Sequence, residues 1–94
     1  MYTGKISYEA FVVEKSVILR EYKLLCQMLR EVRQDRAVTQ IELAERLGET
    51  QSFVSKCERG ERRLDIVQLR AFCQALGIGL SGFVTDFERR LRKR

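Results

Sequence analysis

Gln51, Ser52, Ser55 and Lys56 fall within a short polar run, TQSFVSKCERG (Thr50–Gly60). A glutamine amide donates and accepts at once, a serine hydroxyl does either, and a lysine ammonium donates. Carried on one helix, such groups suit the edges of nucleic-acid bases. A helix fits the major groove of B-DNA, where glutamine can pair with adenine at N6 and N7, and lysine with guanine at O6 and N7. Gln51 and Ser52 open the helix predicted over Gln51–Arg59, and such docking brings the N-terminal end of the reading helix nearest the bases. Lys56 follows a turn and a little later on a related face. Ser55 can take either job or pack against the backbone.

A second set of residues has the chemistry of phosphate contact. Gln40 opens an earlier predicted helix, whose N-terminal amides are offered to an anion. Thr50, with Arg59 at the end of the later helix and Arg62 and Arg63 in the loop after it, completes the set. Contacts of this kind supply affinity rather than sequence choice. The plainer reading of the arginines is a solvated loop beside Glu58 and Glu61. Glu49 lies in the turn before the reading helix, where its carboxylate repels phosphate unless it points away.

Catalytic chemistry is poorly represented. There is no histidine for base catalysis, no G-x-S-x-G, no phosphate-cradling glycine loop and no dense carboxylate pair. The reading is a non-enzyme with no cofactor and no metal. Cys26, Cys57 and Cys73 are odd in number, lack C-x-x-C spacing and have no histidine to complete a site. Cys26 and Cys73 fall among apolar helix positions and read as small buried hydrophobes. Cys57, on the reading helix, is the candidate for a redox switch.

The elements that must position these residues are helices. From Ser16 to Gln34 apolar Tyr22, Leu25, Leu29 and Val32 recur three or four apart, with Arg20, Lys23, Arg30 and Arg33 largely on the other faces. Thr39 with Glu42 forms a capping box opening a helix over Gln40–Leu47. Thr50 caps Gln51–Arg59, and Gly60 suits the left-handed position after it. Asp65 with Gln68 starts a helix over Ile66–Leu76, closed by Gly77. Ser81 is expected to cap the last helix, Gly82–Arg92. Between the second and third helices the chain must reverse, and three residues are apt. Ala44 lets the backbones approach, Gly48 accepts φ > 0, and Val54 anchors the reading helix inward.

Ninety-four residues make one domain with an adequate core. A hydrophobic share of 45% and a charged share of 33% are ordinary for a soluble globular protein. The net charge of +5 fits a polyanionic partner but moves the argument little. Residues 37–64 carry equal numbers of acidic and basic side chains, and the excess lies in the leading helix and in Arg89–Arg94. That basic end also suits a helix C-terminus with no partner at all. No stretch has the length of apolar sequence that spans a membrane, and no signal peptide opens the chain, so a cytoplasmic location is expected. Residues 1–15 are set apart as an N-terminal extension to a domain over 16–94. Ile6–Val13 is rich in β-branched and aromatic residues and reads as an arm or strand, or as an extension of the first helix.

The combination TQ-x-ELA-x-x-LG, then TQS-x-VS, then ERG (Thr39–Gly60), continued through ERRLDIVQLRAFCQALGI, resembles the helix-turn-helix domains of the phage Cro/C1 repressor type, the Xre family. The resemblance covers roughly Tyr22–Leu91. It implies an all-α, compact five-helix fold of the lambda-repressor kind that binds duplex DNA, usually as a dimer, and regulates transcription. It also implies base contacts from the first, second and sixth residues of the reading helix, here Gln51, Ser52 and Lys56, and phosphate binding by Gln40. A sequence-specific regulator, acting as a repressor on a palindromic operator, is the leading expectation. The alternative is an antitoxin-like module that neutralises a partner protein, with the contact in the first fifteen residues, and autoregulates its promoter. A helical domain with a vestigial motif is the third. For a homodimer the stripe Phe83, Val84, Phe87 and Leu91 offers a surface, with Phe83, Phe87 and Leu91 as the interface candidates. Part of the stripe must close the domain's own core, which leaves Phe87 and Leu91 foremost. Tyr8 and Phe11 of the extension are the rival surface.

Overall fold

Short-range hydrogen bonds set the helix starts. A computed structural model of the chain describes residues 14–93, which form α1 (Lys15–Asp35), α2 (Gln40–Leu47), α3 (Gln51–Glu58), α4 (Ile66–Ala75) and α5 (Leu80–Arg92). There is no strand among the described residues. At α2 the Thr39 hydroxyl accepts from the Glu42 amide at 3.0 Å, and the Glu42 carboxylate accepts from the Thr39 amide at 2.8 Å. This reciprocal box holds the Glu42 carboxyl below the usual carboxylate range. Asp65 and Gln68 repeat it at α4, at 2.7 and 2.9 Å. Thr50 caps α3 by accepting from the Phe53 amide at 3.1 Å. Gly48 and Gly60 take φ of 68° and 78°, the left-handed region in which a Cβ is strained.

The last helix corrects the expected boundary. α5 begins at Leu80 with Gly79 as its N-cap, and Ser81 caps nothing. Ile78 and Leu80 both pack against the core, so the chain re-enters helix as soon as the turn is complete. Ser81 lies in the first turn, where its carbonyl accepts from the Thr85 hydroxyl at 2.9 Å. A second departure is Ala37, which closes the α1–α2 turn at φ 55° although it is not glycine. Its amide donates to Gln34 and that of Val38 donates to Arg33, so the helix end is hydrogen-bonded in spite of the strained residue.

The core gathers around Phe72, with Leu29, Leu43, Ala44, Val54, Leu69, Leu76 and Phe83. Ala44 and Val54 are buried where α2 crosses α3, as the reversal requires. α1 departs from its expected stripe. Tyr22, Leu25 and Val32 are half-buried, and the deepest side chains are Cys26, Met28, Leu29 and Arg33. The helix lies against both α3 and α5, and the face between those contacts includes Arg33, which the apolar spacing had put outside. Phe83 is only 3% exposed and belongs to the core, which removes it from the surface open to a partner. Phe87 packs half-buried against that core, Leu91 is half-buried and Val84 is exposed.

All three cysteines are free and buried. Burial raises their thiols, Cys57 to about 11, so the thiolate that redox chemistry needs is scarce at neutral pH. Cys57 is wholly buried, which leaves an oxidant no access to its sulfur and disfavours a redox switch there. Among the described residues no single helix is long and apolar enough to cross a membrane. α1 starts at Lys15, inside the expected extension, whereas the arm or strand at 6–13, Tyr8 and Phe11 lie outside the described residues, as does most of the segment assigned to a partner-protein contact.

Candidate nucleic-acid interface

α3 has one side committed to the core. Val54 and Cys57 are fully buried and Phe53 half-buried, its ring 6.3 Å from that of Phe72. The opposite side carries Gln51, Ser52 and Lys56, all exposed. Hydrophobic burial on three inward positions thus orients the polar face, and the Thr50 cap fixes where it begins. Three of the four expected base-reading residues share the exposed surface. Ser55 is half-buried, and its hydroxyl accepts a hydrogen bond from the Arg59 guanidinium, which ties it to the helix end.

Beneath this face lies a network that the spacing of apolar residues did not reveal. Arg33 Nε donates to Glu58 Oε2 at 2.6 Å, Nη2 to Glu58 Oε1 at 3.1 Å and Nη1 to the Val38 carbonyl at 2.9 Å. The two side chains are 8% and 9% exposed as residues, an ion pair within the domain. Gln40 Nε2 donates to the same Glu58 Oε1 at 2.9 Å, and Gln40 Oε1 accepts from Gln51 Nε2 at 3.4 Å. A carboxylate can only accept, so Glu58 dictates that Gln40 turns its nitrogen inward and its oxygen toward Gln51. Gln51 is then left with its oxygen and one N–H, an acceptor and a donor side by side, which is the pair that adenine matches. A signal for the burial of each residue did exist. Arg33 stands four residues after Leu29 and Glu58 four after Val54, both continuing buried stripes with opposite charges.

The expected phosphate contacts are placed unequally. Gln40 is half-buried and held as described, and its box leaves the Gln40 and Ile41 amides at the positive end of α2 for an anion. Thr50 is exposed, with its hydroxyl engaged in the cap. Arg59 is paired twice with Glu61, at 2.8 and 3.3 Å, in an exposed ion pair. Arg62 and Arg63 instead lie over aromatic rings, Arg62 at 5.2 Å from the Phe53 centroid and Arg63 at 4.3 Å from that of Tyr22. Glu49 is exposed at the turn.

The helix-turn-helix family matches over residues 29–83, more than half of the chain, from the last third of α1 through the start of α5. An XRE-family-like protein from Pseudomonas syringae pv. tomato str. DC3000 is 39% identical, with 81% of this chain and 93% of that one covered at a TM-score of 0.77. The chain belongs to the XRE family of helix-turn-helix proteins. As such it is a DNA-binding transcription regulator. The clp gene regulator ClgR from C. glutamicum is 33% identical, covering 74% of this chain and 87% of its own, at a TM-score of 0.65. The restriction-modification controller protein C.Esp1396I, a tetramer with its natural 35 base-pair operator, is 22% identical over 73% of this chain and 90% of that one. Its TM-score of 0.66 shares the fold alone. No curated protein matches the chain.

Proposed function

We propose that this XRE-family chain is a sequence-specific regulator that inserts α3 into the major groove of a palindromic operator and represses by occupying it. The observation that carries the reading is the exposed face of Gln51, Ser52 and Lys56, with the Gln51 amide oriented through Gln40 by the buried Glu58. Gln51, Ser52 and Lys56 contact bases, and Ser55 supports them from its bond to Arg59. Gln40, Thr50, Arg62 and Arg63 contact phosphates, with Arg59 available only by exchange with Glu61. Repression asks nothing of the protein beyond occupancy of a promoter duplex.

Selection of bound sequences from a random duplex library, at stated salt, tests the reading directly. Replacing Gln51 by alanine should cost about 1–3 kcal/mol at particular base pairs and relax preference there, with little change elsewhere in the site. Retention of the full sequence preference by that variant would place the reading helix wrongly.

One helix addresses only a few base pairs, and a two-fold dimer doubles the site. Of the expected interface, Phe87 and Leu91 remain available, and Leu91 is the cleaner probe because Phe87 also packs on the core. Leu91→Asp should give a folded monomer that binds the operator about a hundredfold or more weaker, the avidity of two linked half-sites being lost. Light scattering that finds the unmodified protein monomeric, both free and on its operator, would refute the dimer.

A further inference from the structure

Tyr22 is on α1, 40 residues before Arg62, yet its hydroxyl is bonded to the loop after α3 from both sides. It donates to the Arg62 carbonyl at 3.0 Å and accepts from the Leu64 amide at 2.9 Å. The same side chain seats Arg63, whose guanidinium lies 4.3 Å from the ring centroid. Arg62 rests in turn on Phe53, which meets Phe72 in the core. Among the described residues neither Arg62 nor Arg63 has a carboxylate partner, in contrast to Arg59.

We propose that Tyr22 is a positioning residue for DNA binding: it fixes the Arg59–Leu64 loop and holds the Arg62 and Arg63 cations ready for backbone phosphates. This rests on the reading of the chain as a duplex-DNA binder. A loop that is loose before binding loses backbone and side-chain freedom when it meets the duplex, and a loop already fixed does not. A guanidinium laid on an aromatic ring uses its face there and keeps its N–H edge for phosphate oxygens. A phenol is protonated at neutral pH, and burial pushes that of Tyr22 further up, so the hydroxyl remains a donor to the Arg62 carbonyl. The contact is distant in sequence from α3 and touches no base, so its effect is on affinity for all sequences alike.

The test measures binding of the whole chain to a library-selected duplex and to an unrelated duplex across a salt series. Tyr22→Phe keeps the ring under Arg63 and removes both hydroxyl bonds. It should weaken binding to both duplexes by the same factor, about three- to tenfold, and lower the slope of log affinity against log salt by about 1–2. The Leu64 amide should exchange with solvent faster. Arg63→Gln should cost less in the Tyr22→Phe background than in the unmodified protein, because the two act through one contact. Tyr22→Phe with unchanged affinity and slope overturns the assignment. So does a loss of affinity at unchanged slope that follows a lower melting temperature, since that is a folding effect only. An unmodified protein that binds neither duplex overturns the DNA reading, and this assignment with it.

Discussion

Glu58→Ala should destabilise the domain by about 3–5 kcal/mol, because it strips the partner from a guanidinium that is largely shielded from water. Arg33 has 10% of its side chain exposed and Glu58 3%, and three nitrogens of the guanidinium are committed inside. A domain of this size has a total stability of roughly 5–15 kcal/mol, so the loss takes a large share of it. Denaturant unfolding of the full chain measures it, and a loss below about 1 kcal/mol would show that water reaches Arg33 after all. Replacing both members, Arg33→Met with Glu58→Leu, should recover much of the stability, since well-packed apolar groups need no partner. The recovered variant should still bind DNA more weakly than the unmodified protein. Gln40 then has no fixed acceptor, and the order of donor and acceptor on Gln51 is no longer imposed. Stability and orientation are thereby separated in one pair of variants.

Raising salt from about 50 to 200 mM should weaken operator binding about a hundredfold, through release of counterions from neutralised phosphates. The size of the effect decides which arginines take part. Arg62 and Arg63 on each of two protomers give four cations and a slope of about −4, whereas adding Arg59 gives six and a slope of about −5. The smaller value is expected, because Arg59 already has Glu61 as its counter-charge and frees less on binding. Arg59→Gln should accordingly leave the slope nearly as it was, while Arg63→Gln should reduce it by about 2 for a dimer. A slope near zero in the unmodified protein would sink the phosphate-contact reading altogether.

What could be read from the chain is what depends on residues within about a turn of one another. Thr39 with Glu42, and Asp65 with Gln68, are three apart, and their bonds form whatever the rest of the domain does. Gly48 and Gly60 take left-handed φ without strain because glycine carries no Cβ, and the inward positions Ala44 and Val54 follow from helical spacing. These local terms determined five helices, the turn between α2 and α3, and the exposure of Gln51, Ser52 and Lys56. Contacts made where helices cross were decided only in three dimensions. Arg33 meets Glu58 across 25 residues, Tyr22 meets Leu64 across 42, and Arg90 meets Glu31 across 59. No spacing rule relates such pairs, since each depends on the angle and rotation with which whole helices pack. For the same reason Ser81 does not cap α5, whose start answers to where Ile78 and Leu80 reach the core. Charge alone gives Arg59, Arg62 and Arg63 the same reading, and the folded chain gives them different neighbours. Glu61, two residues away, binds the first, and the rings of Phe53 and Tyr22 carry the other two, because only the folded loop lies across α1 and α3.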